Sequence, residues 1–218
     1  MMLDVCQGGH IGAGSPDMAA HVGPAGWARL APAIRWRFGD AQAHRPRTYR
    51  GAMDLWRSPA GLVFALLGRA FGRPLPCRAG RGVPAVVQVR PDGGGIRWDR
   101  LLHTGARPER VSSVKEDGPN GLQERTSAGL IMELDIFERG GTLVFRSRRY
   151  LVQAGRWRIP VPAFLTPGTC EVTHEDAGPG RFRFTLTATH PVWGTTFRQD
   201  GLFTDPGFES SAAVQPSH

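Results

Sequence analysis

From about residue 83 to residue 203, apolar and polar positions alternate in short runs separated by turn-forming clusters. In Leu130-Ile131-Met132-Glu133-Leu134-Asp135-Ile136, the side chains of Leu130, Met132, Leu134 and Ile136 fall on one side of a strand, with Glu133 and Asp135 on the other. The run 181–188 repeats this, with Phe182, Phe184, Leu186 and Ala188 on one side and arginines and threonines on the other. Antiparallel sheets covered on one face carry this pattern. Pro91-Asp92-Gly93-Gly94-Gly95 joins segments 85–90 and 96–102 as a hairpin, and Arg139-Gly140-Gly141 joins 130–138 to 142–152. Asp176-Ala177-Gly178-Pro179-Gly180 joins 170–175 to 181–189, and His190-Pro191 turns the chain into 192–203. Weaker stretches at 110–115 and 122–126 bring the total to about eight or nine strands, a number that must curl strongly or close on itself.

Helical signals are confined to the first third. Leu30, Ile34 and Phe38 stand at helical spacing within 27–38, with Pro32 marking a break or a start. A better-marked helix begins at Ser58, a residue suited to accept from first-turn N–H groups, with Pro59 at the first helical position and Gly72 and Pro74 as the stop. Its broad apolar arc, Leu62, Val63, Phe64, Leu66, Leu67 and Phe71, predicts a helix largely buried against the sheet, although a partner groove or a membrane surface could use the same arc. The predicted fold class is α+β: a strongly curled antiparallel sheet or half-open barrel, covered by one or two N-terminal helices. Residues 1–26 read as a flexible leader and 205–218 as a flexible tail, flanking one domain at 27–204.

Composition changes this picture little. The net charge of +8 arises from 27 Lys and Arg against 19 Asp and Glu, but Lys115 is the only lysine and the arginines are dispersed. That distribution, with abundant Ala, Gly and Pro, follows from a GC-rich coding sequence and argues against a nucleic-acid patch. Cys6, Cys77 and Cys170 are scattered, with neither metal-ligand spacing nor a disulfide framework, so a reducing, cytoplasmic setting is expected. The start lacks a signal-peptide pattern, and no apolar run reaches the roughly 18 residues of a membrane span. The string Gly8-Gly9-His10-Ile11-Gly12-Ala13-Gly14 lacks the preceding strand and following helix that a dinucleotide-binding loop requires.

Several local features carry a family resemblance: Tyr49-Arg50-Gly51 ahead of the marked helix, Gly94-Gly95-Ile96-Arg97-Trp98-Asp99-Arg100 after a hairpin, and the arginine-rich stretch 142–150. Ile159-Pro160-Val161-Pro162 and Gly180-Arg181-Phe182-Arg183-Phe184 complete the order. In these pieces the chain resembles the bacterial domain of unknown function family 4166 over residues 31–204. Some members of that family are joined to dehydrogenase-like nucleotide-binding domains, which implies an accessory role beside an oxidoreductase partner. None of the shared pieces is a catalytic signature.

Candidate chemistry follows from parity along the strands. Counting from Leu143 places Phe145, Ser147, Arg149 and Leu151 on its face, and the run Cys170, Val172, His174 ends an apolar face with a titratable ring. Inside a curled sheet, Arg149 and His174 would hold an anionic head group while Phe145, Phe182, Phe184, Met132 and Trp98 line an apolar chamber. A single bulge would shift the register and send Arg149 to the rim instead. Trp157, between Arg156 and Arg158, is the best candidate for contact with a partner.

No G-x-S-x-G elbow, H-E-x-x-H pair or local cysteine signature occurs, and no cofactor or metal site is expected. His174-Glu175 and Glu116-Asp117 are the nearest acid/base pairs, but adjacent strand residues face opposite ways, and His44 and His103 lie in loop-like surroundings. The leading expectation is non-catalytic binding of a small apolar or anionic amphipathic molecule. The alternative is an interaction module docking on a nucleotide-binding oxidoreductase.

Overall fold

Eleven strands, all antiparallel, carry the alternation into three dimensions, in a computed structural model that describes residues 15–40 and 45–205. They are β1 (Arg47–Arg57), β2 (Gly80–Asp92), β3 (Gly95–Leu102), β4 (Glu109–Gly118), β5 (Gly121–Arg125) and β6 (Leu130–Arg139). The remainder are β7 (Thr142–Ala154), β8 (Trp157–Pro160), β9 (Thr169–Asp176), β10 (Arg181–His190) and β11 (Gly194–Thr204). Spatial neighbours run β6-β5-β4-β3-β2-β1-β11-β10-β9-β7, and β6 pairs with β7 to close the ring. The result is a closed barrel of ten strands with β8 flanking β7, not a half-open sheet of eight or nine. The two strands added to the sequence expectation are β1, in which Tyr49, Met53 and Leu55 alternate inward around Gly51, and the four-residue β8.

Strand number fixes the interior. A barrel of about eight strands is just wide enough to be filled by its own side chains, so ten leave room for more. Every connection is antiparallel, which sends the N-terminal helices to one end of the barrel and the β1–β2, β3–β4, β5–β6, β7–β9 and β10–β11 connections to the other.

The first end is closed. Helices α1 (Met18–Val22) and α2 (Pro24–Arg29) pack on β6, and α3 (Pro32–Phe38) packs on β9. Residues 18–22 and 24–26 are thus helical, with Met18 buried in the core, where the sequence suggested a loose leader; the Asp17 carboxylate caps α1 by accepting from the amides of Ala19 and Ala20 at 2.9 and 3.0 Å. Pro32 starts a separate helix, which divides the expected 27–38 segment in two. On α3, Ile34 and Phe38 enter the core, and Arg37 donates from Nε to Asp205 at 2.8 Å with its guanidinium 3.7 Å from the Phe182 ring centre. Residues 1–14, 41–44 and 206–218 lie outside the described residues, and with them the glycine-rich string, Cys6, His44 and the expected tail beyond Asp205, which is itself buried and bonded to Arg37 where a loose tail was expected to begin.

At the other end lies α4 (Pro59–Gly68), entered through Ser58, whose Oγ accepts from the Gly61 amide at 3.0 Å. Its packing corrects the expectation of a largely buried helix. The face against the barrel is made of small residues, Gly61 and Ala65, and Gly61 lies so close to the Thr196 carbonyl that a Cβ there would collide. The large residues Val63 and Leu66 point away, Leu67 stands at the rim of the barrel mouth, and all three are about half exposed. A narrow seam of small residues lets the helix approach the strands, and that choice turns its apolar arc outward.

Candidate functional site

The barrel encloses a cavity of about 590 Å³ that opens at the α4 end. Most of its wall is apolar, including Met53 of β1, Val87 of β2, Met132 of β6, Val172 of β9, Phe184 and Leu186 of β10 and Phe203 of β11. Its mouth lies between α4 with the turn that follows, where Phe64, Leu67 and Phe71 stand, and the segment from β8 onward, which contributes Ile159, Val161 and Leu165. Phe38 closes the bottom, with its ring 6.1 Å from Trp98 and 4.9 Å from His174.

One wall is different. Parity places Trp98 and Arg100 of β3, Ser113 and Lys115 of β4 and Glu124 of β5 on the inner face of three neighbouring strands. Lys115 donates from Nζ to Glu124 at 2.7 Å and lies 5.3 Å from the ring centres of both Trp98 and Phe145. Arg100 reaches the other Glu124 oxygen at 3.6 Å and Ser113 Oγ at 3.5 Å. Two cations against one anion leave this wall with a surplus positive charge. Arg100 Nε, Trp98 Nε1 and His174 Nδ1 have no hydrogen-bond partner within the protein. Buried polar atoms are nearly always satisfied, so three orphans gathered around one cavity mark a place built for something other than packing.

The electrostatics separate binding from proton transfer. Burial alone would raise the Glu124 carboxyl, but Lys115 and Arg100 outweigh it and bring it down to about 2, which keeps it an anion at neutral pH and a poor proton donor. Burial pushes the Cys170 thiol up to about 12, which removes it as a nucleophile. His174 is held well below its ordinary value, first by burial and then by Arg37, Lys115 and Arg100, so its ring is neutral. An unfolded histidine takes up a proton near pH 6.5 whereas buried His174 does not, so this part of the stability is complete above pH 6.5 and is lost as the pH falls toward the folded value. His174→Phe is accordingly expected to flatten the fall in melting temperature below pH 6.5, measured by thermal denaturation across that range.

The residues singled out in the sequence divide into two groups. Trp98, Met132, His174, Phe182 and Phe184 line the cavity; Phe145 is buried beside it against Phe38 and Lys115. Arg149 does not line it, which corrects the expected anion pair. Glu133 pairs with Arg149 and Leu134 with Ser147, so Arg148 is an extra residue in β7; beyond it Tyr150 and Val152 take the inner face, and Arg149 turns outward, where its Nε donates to Glu133 at 2.6 Å. Glu116 is bound by Arg125, Asp117 by His21, and both Glu175 and His103 are exposed. Trp157, Arg156 and Arg158 stand exposed outside the cavity, with the Arg156 guanidinium 5.0 Å from the Trp157 ring centre.

Sequence reasoning missed Arg100, Ser113, Lys115 and Glu124. Parity from Trp98 finds Arg100, and Lys115 is conspicuous as the one lysine of the chain. Among the described residues no cluster of His, Cys, Asp and Glu has the arrangement of a metal site, and no helix is long and apolar enough to cross a membrane.

No curated protein matches the chain. A family model does, over residues 30–203, which covers the whole barrel apart from the last residue of β11 together with α3 and α4. By that match the chain belongs to the family of the domain of unknown function DUF4166.

Proposed function

We propose that this protein binds, without chemical conversion, one small amphipathic molecule carrying a single negative charge, with its apolar body among the rings of the β9–β11 wall and its head group against the β3–β5 wall. The observation that carries this reading is an apolar cavity of about 590 Å³ with all its charge gathered at Arg100, Lys115 and Glu124. Sites for small molecules have this make-up: mostly hydrophobic lining with a few convergent polar groups that fix orientation. Paired, hydrogen-bonded ions favour binding over acid/base work, since neither an anionic Glu124 nor an inert Cys170 is poised for it.

Isothermal titration with dodecanoate, dodecanol and dodecyltrimethylammonium tests the reading, because the three share one tail and differ in head-group charge. Dodecanoate should bind most tightly and the cation least. Lys115→Met or Arg100→Met should weaken dodecanoate by about tenfold or more, the loss of one charge-assisted hydrogen bond, with far less effect on dodecanol. Equal affinity for all three, or unchanged dodecanoate affinity in both folded variants, would remove the head-group assignment. The exposed Trp157 face, the expected contact with an oxidoreductase, lies outside the cavity at the same open end.

A further inference from the structure

We infer that the open end of the barrel docks on the surface of an anionic lipid bilayer, so that the cavity mouth faces the lipid. Among the described residues eleven large hydrophobic side chains are exposed, and nine of them sit at this one end. They include Leu66 and Leu67 of α4, Trp157 of β8, Phe164 in the short helical turn after it, and Val192 and Trp193 in the β10–β11 turn. These are one neighbourhood: Phe64 of α4 stacks on His190 at 5.7 Å, Trp193 lies 6.4 Å from the same ring, and the Thr196 hydroxyl donates to Pro167 at 2.6 Å. Leu67, Ile159 and Leu165 belong both to this surface and to the rim of the cavity.

Charge identifies the occupant. The segments at this end, 58–80, 103–110, 126–129, 154–168 and 190–194, expose seven arginines and contain one acid, Glu109, whose carboxylate is tied to the Cys77 amide at 2.7 Å. Among the described residues the closed end is close to balance instead, with Asp17, Asp40, Asp92, Asp117, Glu138, Glu175, Asp176 and Asp205 against Arg29, Arg35, Arg37, Arg45, Arg47, Arg139 and Arg181. The molecule is therefore polarised along the barrel axis, with its positive pole around the apolar rim. A hydrophobic surface set with tryptophans and ringed by arginines matches the interface of a bilayer, where aromatic rings occupy the head-group level and cations meet anionic lipids. The outward turn of α4 fits the same use, since its unpartnered apolar face stands beside the mouth. A protein partner would have to supply acids around an apolar patch; an anionic bilayer supplies both over any area.

The proposal shares the cavity with the ligand reading but fails or stands separately from it. Co-sedimentation of the full chain with vesicles of phosphatidylcholine alone, and of its equal mixture with phosphatidylglycerol, is the test. Binding to the mixed vesicles should exceed binding to the neutral ones and weaken with salt. Trp157→Ser combined with Trp193→Ser, and Arg156→Glu combined with Arg107→Glu, should each reduce it about tenfold or more, whereas Leu202→Ser, an exposed apolar site on β11 away from the mouth, should leave it unchanged. Both double variants are surface changes whose melting temperature and dodecanoate affinity should match the parent, and Lys115→Met should sediment with vesicles normally. Absence of vesicle binding, indifference to lipid charge, or self-association that the tryptophan variant abolishes would overturn the docking assignment and leave the ligand reading to its own titration.

Discussion

Glu124→Leu is expected to destabilise the protein by about 3–5 kcal/mol, the cost of removing one partner from a buried ion pair. Lys115 would keep its charge in the barrel with its 2.7 Å partner gone, and Arg100, already lacking a partner at Nε, would lose the one carboxylate it reaches among the described residues. Denaturant unfolding measures the loss. The informative companion is the triple variant Arg100→Met, Lys115→Leu, Glu124→Leu, in which the whole cluster becomes apolar. Buried charge clusters replaced in this way commonly regain or exceed the parent stability. A triple variant as stable as the parent but deaf to the head group of dodecanoate would mean that the cluster is kept for what it binds and not for the fold. Linkage adds an acid limb, because the Glu124 contribution is complete above its ordinary value of 4.5 and is lost as the pH falls toward about 2.

Asp205→Ala should cost a comparable amount, again about 3–5 kcal/mol, for a different reason. Arg37 and Asp205 are almost entirely shielded from solvent, with side-chain exposures of 1% and 2%, and tie α3 to the end of β11 at 2.8 Å. Without the carboxylate, Arg37 retains its contacts with the Phe182 and Tyr49 rings but no anion among the described residues, and its charge is stranded at the closed end. This pair seals the bottom of the barrel, away from the charged wall of the cavity, so dodecanoate affinity measured below the unfolding transition should be unchanged. A large loss of affinity in Asp205→Ala would contradict the division between a structural ion pair and a ligand-facing cluster.

Much of the fold was legible because alternation survives in strands with one wet face. Phe182 to Ala188 reads correctly as a half-buried strand with Phe184 inward, whereas Leu130 to Ile136 sends Met132 inward as expected but has Ile131 and Glu133 of its outer face buried as well, leaving only Asp135 exposed there. β1 was passed over because Gly51 and Ala52 interrupt its apolar residues, and β8 because all four of its residues are exposed. Closure was not legible: it depends on the pairing of β6 with β7 across the ends of the spatial order, and nothing local distinguishes a closing hairpin from an open one.

The site was legible where parity is uninterrupted and illegible where it breaks. His174 and Trp98 were placed correctly by counting in twos, whereas one inserted residue at Arg148 reversed the face of Arg149. The cations that do face the cavity sit on β3 and β4, whose mixed composition hides their inner face: Ser113 and Lys115 resemble a solvated strand until β5 brings Glu124 against them. For α4, hydrophobicity was visible but its direction was not, since packing was decided by the small residues Gly61 and Ala65 and not by the large ones.

Native mass spectrometry of the full chain incubated with dodecanoate, run in parallel on the parent and on the triple variant, bears most directly on the barrel as a ligand chamber. One molecule retained per folded parent chain, lost from an equally folded triple variant, is the predicted result. No retained molecule on the parent, or equal retention by both, would contradict it.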